Sequence, residues 1–126
     1  MKTANHTARI MVVDDDKDLT SVMKTTLEDA GYAVDAFNDP EKALSVYERG
    51  KYGLIILDIR MPGMNGFELF RELKRKDSEA KICFLTGFEV YESEFHKLFP
   101  DMMVAGFLKK PMSTSGLVAE IKKIAS

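Results

Sequence analysis

The chain has 126 residues, enough to bury one hydrophobic core around one site and too few for two independent cores. With 18 basic against 20 acidic side chains, a formal charge of −2 and 45% hydrophobic residues, it falls outside the disordered class and carries no general basic footprint for nucleic acid. Its single cysteine excludes an internal disulfide, and no apolar run is long enough for a membrane span or a secretory core. The expectation is a cytoplasmic protein without membrane insertion, with residues 1–8 as an N-terminal tail and 9–126 as one domain.

"RIMVV" (9–13) reads as the first strand, and it delivers Asp14, Asp15 and Asp16 to one point. Two like charges about 4 Å apart cost roughly 1 kcal/mol in water and about 4 near a protein surface, so a cation is expected there. Asp16 has a plainer role as N-cap of a helix starting at Lys17, which carries Leu19, Val22, Met23 and Leu27 at helical spacing and stops at Gly31. "YAVDAF" (32–37) is the second strand. The helix after it is bracketed by Asp39 as N-cap, Pro40 at the first helical position and Gly50 at the exit.

"GLIIL" (53–57) is a continuous apolar strand that ends at Asp58. The following "MPGMNG" reads as a turn in which Pro62 fixes φ and Gly63 and Gly66 relieve strain. A third helix places Phe67, Phe70 and Leu73 three apart. "KICFL" (81–85) is the fourth strand, with Cys83 as a small buried hydrophobe and Thr86 at its end. Between Gly87 and Pro100 the pattern is weaker, although Tyr91, Phe95, Leu98 and Phe99 fit one helix face. "VAGFL" (104–108) runs into Lys110 and Pro111, and a last helix opens at Ser113 with Leu117, Ile121 and Ile124. His6 and His96 lack metal-type spacing.

Strand and helix alternate throughout, which implies a doubly wound parallel α/β sheet, because each crossover is right-handed and lays its helix on the sheet. Such sheets bind ligands beyond the carboxyl ends of their strands. That edge collects Asp14, Asp15, Asp58, Thr86 and Lys110. Carboxylates gathered without His or Cys suit a hard cation, Mg²⁺ in particular, which keeps room for phosphate oxygens.

The acidic pair closing strand one, "LDIRMPGMNG" closing strand three, "LTG" closing strand four and "FLKKP" closing strand five together resemble the receiver domain of two-component response regulators. Each motif alone is weak, but four in order at successive strand ends, within a likeness running from about Arg9 to Ala125, are specific. The resemblance implies a flavodoxin-like (βα)5 three-layer sandwich with a parallel sheet of order 2-1-3-4-5. It implies Asp58 as phospho-acceptor from a sensor histidine kinase, and Mg²⁺ held by Asp14, Asp15, Asp58 and the backbone carbonyl of Arg60, with Asp15 a direct ligand. Thr86 becomes the switch hydroxyl and Lys110 the phosphoryl contact, with a cis bond to Pro111. Phe107 matches an aromatic that moves between inward and outward positions, while Lys109 is expected at the surface.

The function so implied is a signalling switch and not an enzyme, its chemistry limited to self-catalysed phosphoryl transfer and slow loss of the phosphoryl group. Output to a downstream protein, or homodimerisation, is expected through the face of the fourth helix, fifth strand and fifth helix. Only about 15 residues follow Pro111, so a stand-alone receiver is expected. Two departures stand out. Gly87 occupies a position where the family often has alanine, and the stretch from Thr86 to Phe107 is about two residues longer than usual and rich in aromatics. That stretch suggests a modified partner surface built from Tyr91, Phe95 and Phe99, although a buried helix face explains the same residues more simply. Phe88, two after Thr86, is bulky enough to shield an acyl phosphate, from which slow self-dephosphorylation is expected.

Three other readings compete. "DDD" contains an Asp-x-Asp that would suit an aspartate-nucleophile phosphatase, but such an enzyme usually needs more chain for a cap and leaves Asp58, Thr86 and "KKP" only partly explained. A flavodoxin is disfavoured because acids after strand one would repel an FMN phosphate. A scaffold that is never phosphorylated would be marked by loss of the acceptor or the acidic pair, and both are present.

Overall fold

The computed structural model describes residues 9–87, 90–110 and 112–125. The elements are β1 (Arg9–Val13), α1 (Lys17–Asp29), β2 (Ala33–Phe37), α2 (Pro40–Val46), β3 (Leu54–Asp58), α3 (Gly66–Lys76), β4 (Ile82–Thr86), α4 (Val90–Leu98), β5 (Gly106–Lys109) and α5 (Thr114–Ala125). All strand pairs are parallel and the sheet order is β2-β1-β3-β4-β5, the flavodoxin-like arrangement.

Strand alternation divides the core into two layers. Met11, Val13, Ile55, Leu57 and Phe84 point to one face, where Ala43 of α2, Leu69, Phe70 and Leu73 of α3 and Phe95 of α4 cover them. Ile10, Val12, Leu54, Ile56, Cys83 and Leu85 point to the other, beneath Met23 and Leu27 of α1 and Leu117 and Ile121 of α5. Because helices lie on both sides, β3 and β4 are buried along their whole length, which is why they read as unbroken apolar runs. Cys83, in the middle of β4, is fully buried, and burial pushes its thiol pKa up to about 12.

The local signals at the helix ends hold. Asp16 accepts from the Leu19 amide at 3.1 Å and Asp39 from that of Glu41 at 3.0 Å, so both serve as N-caps. Asn65 and Glu68 form a reciprocal capping box that starts α3 immediately after the "MPGMNG" turn. The Gly116 amide donates to Ser113 Oγ at 3.0 Å, opening α5.

Several boundaries and orientations differ from the sequence expectation. Strands β3 and β4 each begin one residue later than expected and end on Asp58 and Thr86, and β5 starts only at Gly106. α2 stops at Val46, well before Gly50, because Tyr47 turns to extended backbone and its hydroxyl donates to the buried Asp77 at 2.8 Å. Val22 is 51% exposed. Its place on the buried arc of α1 is taken by Thr20, whose hydroxyl accepts a hydrogen bond from Asn38. Leu98 is 61% exposed, since α4 turns Phe95 inward and Leu98 away from that side. The expected tail 1–8 with His6, the shielding residue Phe88 and the bond to Pro111 lie outside the described residues. Among the described residues no helix is long and apolar enough to cross a membrane.

Candidate functional site

The sheet itself places the acidic residues. β1 pairs with β2 and β3 up to Val13, and the Asp14 amide extends the ladder by donating to Phe37 O at 3.0 Å. This holds Asp14 at the carboxyl edge with its side chain 1% exposed, one strand away from Asp58 at the end of β3, which is 5% exposed. Asp15, next in sequence, is exposed. Carboxylate oxygens of Asp14, Asp15 and Asp58 all lie within 4.8 Å of one another.

The Lys110 ammonium answers both buried carboxylates. Lys110 Nζ lies 3.3 Å from Asp58 Oδ1 and 3.1 Å from Asp14 Oδ2. Lys110 is brought there by the ladder, its amide donating to Thr86 O at 2.8 Å just past the end of β5. Asp14 Oδ1 accepts from the Asp16 amide at 3.0 Å. Among the described residues, Asp14 Oδ2 meets Lys110 as an ion pair and has no hydrogen-bond partner.

These contacts leave negative charge in excess. Burial, and next the charge of Asp14, push the Asp58 pKa up to about 6 despite Lys110. Burial also raises Asp14, against the opposing pull of the Asp16 amide and Lys110. For Lys110 burial acts downward, but its close contact with Asp14 and the charge of Asp58 outweigh it and raise its pKa. Three convergent carboxylates, an orphan buried oxygen and no His or Cys among the donors form a set that suits a hard divalent cation.

Of the other residues singled out in the sequence, Thr86 is 5% exposed at the end of β4, in register with Lys109 of β5. Arg60 is exposed in the loop after β3, and Lys109 is exposed too. Phe107 stands apart from the acidic cluster. It is half-buried on the α4 side of the sheet, its ring centroid 5.5 Å from Phe84, 5.8 Å from Phe95 and 6.3 Å from His96.

Of two supporting residues, one went unread in the sequence and the other was given a different role. Asn38 Nδ2 donates to Asp14 O and to Thr20 Oγ1, each at 2.9 Å, tying β1, β2 and α1 together behind the cluster. Its signal was its place at the carboxyl end of β2, where a polar residue follows an apolar strand. Gly66 matters for a reason other than turn strain. A Cβ built there would lie 2.3 Å from Asp58 O, whereas Gly63, at φ +80°, is the glycine that backbone conformation requires.

A doubly wound parallel sheet with three carboxylates and a lysine converging beyond its carboxyl edge defines a flavodoxin-like α/β domain with an acidic strand-edge site. Within that class the chain belongs to the response regulator receiver domain family, whose pattern it matches over residues 10–122. It is 35% identical over 119 residues to the response regulator receiver protein CpdR of Brucella abortus, covering 92% of this chain and 95% of that protein. It is 40% identical over 78 residues to the C4-dicarboxylate transport transcriptional regulatory protein DctD of Rhizobium meliloti, covering 62% of this chain and 17% of that protein. Against other curated relatives, such as the transcriptional regulatory protein YkoG of Bacillus subtilis at 28% identity, the chain spans about half the length, 49% in that case.

Among solved structures, the non-phosphorylated HemR receiver domain of Leptospira biflexa superposes with a TM-score of 0.82 at 27% identity, over 94% of each chain. The response regulator TrrA of Thermotoga maritima, solved in complex with Mg²⁺-BeF, gives 0.77 at 32% identity over 92% of this chain and 97% of that one. Receiver domains are signalling modules of two-component systems, and the acidic cluster is consistent with Mg²⁺ binding and aspartate phosphorylation.

Proposed function

We propose that this chain is a cytoplasmic receiver that accepts a phosphoryl group on Asp58 from a sensor histidine kinase and passes the change to a downstream protein. The observation that carries the reading is the company of Asp58, which is 5% exposed with Asp14 and Asp15 carboxylates within 4.8 Å and the Lys110 ammonium at 3.3 Å. The domain runs over 9–126, without direct nucleic-acid contact.

A carboxylate is a weak nucleophile toward an anionic phosphoryl group, so position and charge cancellation must supply the rate. An Asp58 oxygen attacks phosphorus while the P–N bond of the donor phosphohistidine breaks, its electron pair leaving on the imidazole nitrogen. Lys110, now shared between Asp58 and Asp14, turns its ammonium to a phosphoryl oxygen. Asp14, Asp15, Asp58 and the Arg60 carbonyl would hold Mg²⁺, which when bound would supply neutralising charge for the phosphoryl group. The Mg²⁺-BeF complex of the TrrA regulator supports that assignment by likeness. Thr86 hydrogen-bonds the new phosphoryl oxygen, Phe107 repacks in response, and the face of α4, β5 and α5 changes its affinity for a partner or for a second copy. The protein performs no turnover beyond its own phosphorylation and slow dephosphorylation.

Intact mass after incubation with Mg²⁺ and acetyl phosphate tests this. One added phosphoryl group that is absent with EDTA and absent in Asp58→Ala is expected. No adduct with Asp58 intact would favour an unphosphorylated scaffold, and rapid acetyl phosphate consumption without an adduct would favour a phosphatase.

A further inference from the structure

We infer that the first turn of α3 is a second coupling route from Asp58 to α4, running through Gly66 and Phe67 beside the one through Thr86 and Phe107; it rests on the acceptor role proposed for Asp58. The route begins at the backbone that carries the acceptor. A Cβ at Gly66 would meet Asp58 O at 2.3 Å and Ile59 Cα at 2.8 Å, so the start of α3 lies directly against the end of β3. The Gly66 amide donates to Ile59 O at 2.9 Å, fastening the two together. Displacement of the Asp58 backbone therefore has no free space to disappear into before it reaches α3.

Phe67 comes next and carries the contact outward. Its ring, 8% exposed, has its centroid 6.3 Å from Tyr91 at 82°, 6.0 Å from Phe95 and 6.4 Å from Phe99 at 74°. These three residues belong to α4 and the segment that leaves it. Phe107 touches α4 elsewhere, at Phe95 and His96. The two routes thus share Phe95 and meet also at Phe84, 5.4 Å from Phe67 and 5.5 Å from Phe107, whereas Tyr91 and Phe99 pack on Phe67. Packed edge-to-face rings repack between discrete arrangements and do not compress, which suits them to carry a small displacement into a helix shift. Tyr91, Phe95 and Phe99 are then part of this coupling and not merely core filling.

The test records backbone amide shifts of α4 in the full chain before and after saturation with Mg²⁺ and beryllofluoride. Wild type is compared with Phe67→Leu, Tyr91→Ala and Phe107→Leu. Phe67→Leu and Tyr91→Ala are each expected to lose about half of the α4 response while still binding beryllofluoride at Asp58. Phe107→Leu is expected to retain about half, and Phe67→Leu with Phe107→Leu almost none. Coupling is reciprocal, so Phe67→Leu should also weaken apparent beryllofluoride affinity about two- to fivefold, a change that loss of packing alone does not produce. Tyr91 is half-buried, so its variant decides the matter if Phe67→Leu fails to fold. A full α4 response in Tyr91→Ala, or none remaining in Phe107→Leu, overturns the inference alone. A wild type that takes up no beryllofluoride overturns it together with the acceptor role.

Discussion

Lys110 holds Asp58 at 3.3 Å while sitting nearer, at 3.1 Å, to Asp14, so one ammonium is divided between a proposed nucleophile and its neighbour. If its service is to cancel charge on the incoming phosphoryl group, Lys110→Met should slow phosphorylation by acetyl phosphate about 10²-fold, the usual loss when one preorganised charge partner is removed. The rate of adduct formation by intact mass, at saturating Mg²⁺, reads this. A rate within about twofold of wild type would assign Lys110 a purely structural place.

Asp58→Asn is expected to stabilise the metal-free protein. A carboxyl raised to about 6 favours the native state while protonated and loses that contribution as pH rises from about 4 through 6. Urea midpoints in EDTA should therefore put the variant about 1–3 kcal/mol above wild type at pH 7, with the gap closing below pH 4. Mg²⁺ at about 100 times its Kd should return about 2.7 kcal/mol to wild type and less to the variant.

At the opposite edge of the sheet the sign reverses. Asp77 is buried yet lowered, because the Tyr47 hydroxyl at 2.8 Å and the Glu79 and Gly50 amides at 3.0 and 3.2 Å outweigh desolvation. Its contribution is present above the ordinary aspartate pKa of about 4 and is lost as pH falls through the depressed value. Tyr47→Phe should cost about 1–2 kcal/mol at pH 7 and progressively less in acid, measured by urea unfolding from pH 7 to 2.5. A cost independent of pH would point to packing and away from the hydrogen bond.

Gly63 in the turn before α3 and Gly66 at its first position should respond differently to alanine. Gly66→Ala forces backbone apart at Asp58, an overpacking cost of about 2–3 kcal/mol, with slowed phosphorylation as well. Gly63→Ala meets nothing within 4 Å and should cost only about 1 kcal/mol for its positive φ, leaving phosphorylation intact. Thermal midpoints and adduct rates for both variants check this.

The fold was legible because the strands are short apolar runs cut off abruptly by acids, a threonine or a lysine, so strand ends and site residues came from one signal. Asp14, Asp15, Asp58 and Lys110 do meet as their places at those ends require. What escaped depends on partners distant in sequence. Tyr47 breaks α2 to reach Asp77, 30 residues on, and Thr20 displaces Val22 from the buried arc through Asn38. Periodicity weighs each side chain by its own hydropathy and cannot register a polar residue buried by a hydrogen bond from elsewhere. Gly66 looked like a turn glycine for a similar reason, since a steric limit set by Asp58 leaves no mark in its neighbours.

The burial of Cys83 gives the protein a native clock. Its thiol is sealed at the centre of β4 and its pKa stands near 12, so an alkylating reagent finds no thiolate until the sheet opens. As the sequence holds one cysteine, each molecule can be tagged once, and the rate of tagging counts openings of the innermost layer. Timed alkylation with and without beryllofluoride would then measure how far a change at the strand edge slows the breathing of the sheet's interior.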